Sequence, residues 1–243
     1  MSDQTWDALA GRYTGSGGPD EPPPDAADTM LLAWPPVLDL LMRAMGTLRN
    51  KQILDFGCGA GHFCRKLAVL GAKPTGVDPS PAMAAAARKM VLPDTEIHVG
   101  DMSAVRGMAR YEAFTAIMTF PYLLDLTATL TAWSRLAAPG AAAAIVVYNP
   151  GFVRELMRSG KRFTDFDSME RPRRGIECLP GGSRIPVTVR YAEEYAYAME
   201  THGFHLTFEA RPPFTADFLT RYPQDYPTKT PAFLIMGFRH QSA

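Results

Sequence analysis

The chain has 243 residues, 47% of them hydrophobic and 21% charged, which is enough to bury one full core with a small appended lid. Lys plus Arg equals Asp plus Glu at 25 each, so no overall field draws nucleic acid or an anionic membrane surface. The start, Met1-Ser2-Asp3-Gln4, lacks a basic region followed by an apolar stretch, and the longest apolar run, Ala141 to Tyr148, is too short to span a bilayer. A soluble, cytoplasmic protein with no membrane partner is therefore expected. Cys58, Cys64 and Cys178 are odd in number and lack paired metal spacing, so they read as free thiols and no metal is expected.

In chain order, Trp6, Leu9, Ala10 and Tyr13 lie on one face of a short helix, and Gly15 to Asp28 is a Gly/Pro/Asp-rich flexible stretch. A second helix is predicted from about Thr29 to Met45, interrupted at Trp34-Pro35-Pro36. From residue 51 to about 150, apolar runs alternate with helical patterns, the signature of a parallel sheet with helices on both faces. The predicted strands are Lys51 to Phe56, a short run ending at Asp78, Glu96 to Val99, Ala113 to Thr119 and Ala141 to Tyr148. Helices are predicted over about Ala60 to Leu70, Pro81 to Met90 and the stretch ending near Leu136, and Pro139-Gly140 is read as a break before the fifth strand. Residues 159 to 186 are mixed, with a charged run from Lys161 to Arg174 and a turn at Pro180 to Gly182, and are read as an insertion covering the sheet edge. A helix over Tyr191 to His202 and strands over Phe204 to Ala210 and Ala232 to Arg239 complete the pattern.

The first strand ends Asp55-Phe56-Gly57-Cys58-Gly59-Ala60-Gly61. Alternating glycines let the backbone turn sharply out of a strand and approach a ligand closely, because no Cβ stands in the way. Two phosphate-binding patterns are excluded. The dinucleotide fingerprint needs glycine at position 62, which is His62, and no Gly-Lys-Ser or Gly-Lys-Thr follows Gly61. The carboxylate of Asp55 repels phosphate and attracts a ligand carrying an ammonium, a sulfonium and sugar hydroxyls. Asp55, Asp78, Asp101, Phe120 and Tyr148-Asn149 fall at five successive strand ends, where open parallel sheets bind ligands.

Asp55-x-Gly57-x-Gly59-x-Gly61 resembles motif I of the class I S-adenosylmethionine-dependent methyltransferases of the small-molecule type, and later strand ends are similar to that family's further motifs. The resemblance implies an α/β, Rossmann-like, seven-stranded, mostly parallel sheet of order 3-2-1-4-5-7-6. It also implies a helical lid over 1–49 and a methyltransferase domain over 50–243 with a substrate-cap insertion at about 152–190. S-adenosylmethionine is then the cofactor and S-adenosylhomocysteine the product. Tyr13, the turn residues Gly57, Cys58, Gly59 and Gly61, and Pro79 are expected around the cofactor. Asp78 is expected on the ribose diol, and Asp101 with the Met102 N–H on adenine. Asp55 with the Gly57 and Phe120 carbonyls is expected on the ammonium, and Met83 and Phe120 on the adenosine.

The acceptor is the least readable part, because methyl transfer from a sulfonium needs alignment more than side-chain chemistry. Tyr13, Tyr122, Tyr148 and Asn149 are the acceptor-pocket candidates, and a small-molecule partner is expected. His202 and His205 read as a helix end and a strand surface, and the basic run as a solvated face. A nucleic-acid base substrate is disfavoured, because Phe120-Pro121-Tyr122 lacks the Asn/Asp-Pro-Pro-Tyr of base methylases. Two rival readings are an enzyme that consumes the sulfonium without methylating, by cyclisation or aminobutyryl chemistry, and a non-catalytic cofactor- or partner-binding module.

Overall fold

The computed structural model describes residues 3–14, 21–105, 110–171, 173–179 and 181–241. Helix α1 (Asp3–Tyr13) comes first, and after a short turn at Pro24–Ala26 a wide helical turn over Thr29–Ala33 runs into α2 (Trp34–Met45). The alternating section is β1 (Gln52–Phe56), α3 (His62–Val69), β2 (Lys73–Asp78), α4 (Pro81–Met90), β3 (Glu96–Val99), β4 (Tyr111–Ile117), α5 (Thr127–Leu136) and β5 (Ala137–Tyr148). The remainder is α6 (Pro150–Arg158), the short strands β6 (Phe163–Thr164), β7 (Arg174–Cys178) and β8 (Arg184–Thr188), then α7 (Ala192–Glu200), β9 (Phe204–Ala210), α8 (Ala216–Arg221) and β10 (Phe233–His240).

The main sheet has seven strands in the order β3-β2-β1-β4-β5-β10-β9, and β6, β7 and β8 form a separate antiparallel sheet. Counting only the main sheet, this is the expected 3-2-1-4-5-7-6 order, with β10 antiparallel to both of its neighbours. The predicted segment 159–186 thus has a fold of its own, and α6 and α8 are two helices the sequence reading did not mark.

Alternation along β5 divides the core into two layers. Ala142, Ala144, Val146 and Tyr148 face the layer built with Leu41 of α2, Phe63 of α3 and Phe152 of α6. Ala141, Ala143, Ile145 and Val147 face the opposite layer with Leu130 and Trp133 of α5 and Tyr195 of α7. Side chains this buried contribute about 1.5–3 kcal/mol each, so the two layers dominate the fold's stability. The helix α2 belongs to this body: a Cβ added to Gly237 of β10 would fall 2.0 Å from Leu40 Cδ1. Ala27, Leu32 and Ala33, ahead of α2, are buried in the same layer.

Three boundaries differ from expectation for identifiable reasons. Pro139-Gly140 does not break the chain before β5. Tyr111 pairs with Ala137 and Ala113 with Ala142, so the extra residues bulge, with Gly140 at φ +70°. Trp34-Pro35-Pro36 does not interrupt the helix, because the prolines occupy the first turn of α2, where their missing N–H groups have no intrahelical role. Of the stretch expected to be flexible, residues 15–20 lie outside the described residues, while Pro24–Ala26 forms a 3-10 turn and Asp25 pairs with Arg12 at 2.6 Å.

Phe114 is fully buried on β4 and stacks on Trp133 at 5.1 Å between ring centroids. Phe114→Ala is expected to lower unfolding free energy by about 3–5 kcal/mol, measured by urea denaturation, because the sheet cannot collapse into the space left.

Candidate active site

After β1 the backbone reverses through Gly57, Gly59 and Gly61 at φ +72°, +55° and +82°, conformations that side chains with a Cβ rarely adopt. Gly57 also has no room, since a Cβ would fall 2.2 Å from Thr119 Oγ1, whose hydroxyl donates to the Phe56 carbonyl at 2.9 Å. A Cβ at Gly59 would meet nothing within 4 Å, because this side of the turn faces an open cavity. The turn is held from β2: Asp78 Oδ2 accepts the Gly59 N–H at 2.8 Å, and Asp78 Oδ1 accepts the Ser80 N–H at 2.9 Å.

Asp55, only 2% exposed, accepts from the Thr115 hydroxyl at 2.7 Å and the Cys64 thiol at 3.5 Å. Burial pushes its pKa up to about 6 against these two donors. Both donors are uncharged, and no ion pair to Asp55 occurs among the described residues. A buried carboxyl in this state gains its ionised form when a cation arrives, which fits the ammonium of S-adenosylmethionine. The two-oxygen presentation of Asp78 beside the open side of Gly59 fits a pair of vicinal hydroxyls.

The cavity encloses about 200 Å³. Its apolar wall comes from Trp6 and Tyr13 of α1, Met30, Trp34, Phe63 and Tyr122. Its roof is supplied by the small sheet and the loop before it. Glu177 of β7 is fully buried and accepts from Arg162 Nε at 2.9 Å, the Tyr148 hydroxyl at 2.7 Å and the Tyr122 hydroxyl at 2.9 Å. Arg162 Nη2 donates in turn to the Tyr148 hydroxyl at 2.8 Å, closing the network. Burial works against the Arg162 charge, but Tyr148 and Glu177 hold its pKa well above the ordinary value. Burial, reinforced by Glu177, pushes both the Tyr122 and Tyr148 phenols well up, although Arg162 opposes this at Tyr148. Both tyrosines are therefore protonated hydrogen-bond donors.

α1 closes the side of the cavity through two contacts. Asp7 Oδ1 accepts from Ser80 Oγ at 2.5 Å and from the Ala82 N–H at 3.0 Å. The His62 ring lies with Nε2 2.6 Å from the Tyr13 carbonyl, where it donates. Burial lowers the His62 pKa, so the ring serves as a neutral tether.

Of the residues singled out from sequence, Tyr13, Asp55, Gly57, Cys58, Gly59, Asp78, Pro79, Met83, Tyr122 and Tyr148 are brought to this one cavity. Gly61 is not; it permits α3 to close on α4, with a Cβ there falling 2.9 Å from Ala87 Cβ. Asp101 is exposed at the end of β3 and accepts the Ser103 N–H at 2.7 Å, and Met102 is buried in the core with Leu54 and Phe56. Phe120 is not brought to the cavity: its ring is in the core 5.4 Å from Trp133, and its carbonyl accepts from Arg190 Nη1 at 3.2 Å. The cause is that β4 stops at Ile117, two residues before its predicted end, and Met118 at φ +54° turns the chain so that Met118 and Thr119 meet the cavity instead. Asn149 is not among the cavity's lining residues either. It caps α6, accepting the Gly151 N–H at 3.0 Å and donating to the Pro231 carbonyl at 2.9 Å. His202 bonds the Ala198 carbonyl at its helix end and His205 is exposed on β9, away from the cavity.

Glu177, Arg162 and Asp28 were missed. Arg162 sits in a charged run whose other members do pair at the surface, Lys161 with Asp225, Arg171 with Glu193 and Arg173 with Glu194. Only its position inside a folded insertion separates it from them, and no local sequence pattern carries that information.

A mostly parallel sheet with a glycine turn after β1, acids at the ends of β1 and β2 and a cavity above them defines an α/β enzyme built around a nucleoside-bearing cofactor. Comparison with known proteins agrees and goes further. Residues 33–208 match the family model of a methyltransferase domain, and the chain belongs to that family, as a class I S-adenosylmethionine-dependent methyltransferase with S-adenosylmethionine as its cofactor. It is 30% identical over 138 residues to a ubiquinone biosynthesis O-methyltransferase of Xanthomonas oryzae pv. oryzae, a match covering 55% of this chain and 54% of that one. The chain thus spans about half the length of the curated relatives it matches. Its fold is shared by an S-adenosylmethionine-dependent methyltransferase from Mesorhizobium loti (TM-score 0.65, 18% identity, 88% of this chain and 98% of that one). The CcbJ methyltransferase of Streptomyces caelestis shares it over the full length of both chains, at TM-score 0.65 and 18% identity.

Glu177→Ala is expected to destabilise the folded state by about 3 kcal/mol in urea denaturation, because it strands the Arg162 guanidinium in a largely dehydrated site. Glu177→Gln, which keeps an acceptor oxygen, should cost less.

Proposed function

We propose that this enzyme moves the methyl group of S-adenosylmethionine to an oxygen, nitrogen or carbon atom of a small molecule held between the aromatic wall and the Glu177 roof. The observation that carries the reading is the cavity itself: about 200 Å³, bounded by Asp55 and Asp78 on one side and roofed by Glu177 and Leu179 on the other. A volume of that order admits a small organic group.

In this reading Asp55 receives the ammonium and Asp78 the ribose hydroxyls, with Gly57, Cys58 and Gly59 giving close backbone approach and Met83 and Pro79 apolar cover. Asp101 and Met102 serve the adenine, as the family resemblance implies, from the open edge beyond the cavity. The segment before α2 and the insertion carrying β6 to β8 act as the two covers of the site. When bound, the cofactor supplies an electrophilic methyl group on a positively charged sulfur. The chain's own contribution is alignment and exclusion of water, effects that together can supply roughly 7–11 kcal/mol. Tyr122 and Tyr148 donate to Glu177 and hold the roof in register, and as protonated phenols they do not serve as bases.

Isotope-labelled S-adenosylmethionine incubated with a panel of small phenols and amines is expected to yield S-adenosylhomocysteine together with a labelled acceptor. Methylthioadenosine as the by-product would overturn methyl transfer in favour of aminobutyryl chemistry. Failure to bind S-adenosylhomocysteine at millimolar concentration would leave only a non-catalytic module.

The Asp55 role has a pH signature. With its pKa raised to about 6 in the free protein, Asp55 is protonated below that pH and ionised above it, and the cofactor's ammonium binds the ionised form. Affinity should therefore rise with pH by up to about tenfold per unit approaching the free-protein pKa, and level off above it. Isothermal titration across this range measures the slope, which Asp55→Asn should flatten while weakening binding at neutral pH.

A further inference from the structure

Two carboxylates in the cavity are used neither by the cofactor reading nor by the roof, and of these Asp25 is paired with Arg12. Asp28, just ahead of the wide turn, lines both this cavity and a second one of about 440 Å³ lying among α1, the small sheet and the segment that follows α8. Its Oδ1 accepts the Thr29 N–H at 2.7 Å and the Thr29 hydroxyl at 3.3 Å. Its Oδ2 has no hydrogen-bond partner among the described residues. The groups facing it are Tyr13, Tyr226, Arg162 and Glu177. Arg162 hydrogen-bonds Glu177 and Tyr148 and lies beyond ion-pair distance of Asp28; burial pushes the Asp28 carboxyl up, and the nearby Arg162 charge opposes this only in part. Tyr13 and Tyr226 are neutral, burial pushing each phenol up to about 12.

The charge of the lining sharpens this. Five carboxylates, Asp25, Asp28, Asp55, Asp78 and Glu177, face the cavity with a single guanidinium, Arg162, among the described residues. Asp25 is held by Arg12 at 2.6 Å and Glu177 by Arg162 at 2.9 Å. Asp55 and Asp78 belong to the cofactor half. Asp28 remains at the acceptor end, beside the aromatic faces of Trp34, Tyr13 and Phe63, surfaces that attract cations and cover apolar groups equally well.

Resting on the methyl-transfer reading above, we propose that Asp28 is the acceptor-binding carboxylate, and that the acceptor is an amine brought in as its ammonium with its apolar body against the aromatic wall. A phenol or carboxylic acid acceptor would have to develop or carry negative charge in a lining already rich in it. An ammonium instead places its proton donor on the free Oδ2. The nitrogen passes that proton to Asp28, and its lone pair forms the bond to the methyl carbon. The carbon–sulfur bond breaks with its electron pair going to sulfur, which leaves a protonated N-methylamine and a neutral thioether. Asp28 then returns its proton to solvent. Five residues, Tyr13, Asp25, Asp28, Arg162 and Leu179, line both cavities.

Isothermal titration of phenethylamine, para-ethylphenol and hydrocinnamate into enzyme saturated with S-adenosylhomocysteine tests this at neutral pH. The amine is expected to bind at least about tenfold tighter than either of the others. Asp28→Asn keeps an oxygen for the Thr29 N–H and removes the charge, and should weaken amine binding by about tenfold to a hundredfold while leaving S-adenosylhomocysteine affinity unchanged. Asp28→Glu should retain a preference for the amine. The proposal is overturned if para-ethylphenol or hydrocinnamate matches the amine, if the amine does not bind the saturated enzyme, or if the Asn variant binds it as the wild type does. Should the Asn variant also lose S-adenosylhomocysteine, the wild-type ranking of the three probes decides. Failure of S-adenosylhomocysteine to bind the wild type would instead overturn the underlying methyl-transfer reading.

Discussion

The Asp78 carboxylate, with one oxygen on each of two loops, is the contact on which the site depends. One oxygen takes the Gly59 N–H from the turn after β1 and the other takes the Ser80 N–H at the start of α4. Ser80 caps that helix through the Met83 N–H and also donates to Asp7 of α1. The glycine turn, the first turn of α4 and the N-terminal helix are thus fixed through two adjoining side chains. His62 completes the loop by bonding the last carbonyl of α1 from the helix that the glycine turn starts. A buried carboxylate that accepts backbone N–H groups on both oxygens is rigid as well as charged, so the same residue can shape the turn and present itself to a ligand.

The second half of the site obeys a different constraint. Its roof consists of polar groups withdrawn from water, and such groups are stable only when each has partners. Glu177 meets this with three donors, one from its own insertion and two from the ends of elements of the main body, Tyr122 after β4 and Tyr148 at the end of β5. That arrangement orients the three-stranded sheet over the cavity by hydrogen-bond geometry, and the apolar contacts of Phe163 and Val187 with the core add the attraction. Arg162 occupies φ +59°, a conformation disfavoured for arginine, and the guanidinium's bonds to Glu177 and Tyr148 offset that local cost.

What the sequence revealed follows from where information is local. The glycine turn and the acids at the ends of β1 and β2 are legible because each depends on a few neighbouring residues, and the strands because their apolar pattern is periodic; the order of the strands came from the family resemblance alone. The core position of the Phe120 ring was not legible because the end of β4 is decided by Met118 leaving the strand conformation, which a run of β-formers does not announce. The capping role of Asn149 was not legible because a polar residue after a strand is equally a cap, and α6 was not recognised. Glu177 and Arg162 were illegible because they are fifteen residues apart and meet only through the pairing of Phe163 with Glu177 across β6 and β7. Asp28 lay in a stretch whose composition suggested only a linker.

Net charge was the least informative quantity about this site, and the reason is physical. Twenty-five basic residues against 25 acidic ones cancel over the whole surface and describe the far field correctly. Within the cavity the lining outweighs the distant surface, because its charges are nearer and the effective dielectric is below that of water. There the balance is five carboxylates to one guanidinium among the described residues. Two of those carboxylates are matched by the arginines 12 and 162. A methyl donor that carries a sulfonium and an ammonium is stabilised by such a lining, and so is any further cation beside it, whereas an anion meets opposition from several directions. A chain neutral overall thus holds a local field that favours positively charged ligands, set by which side chains the fold turns inward.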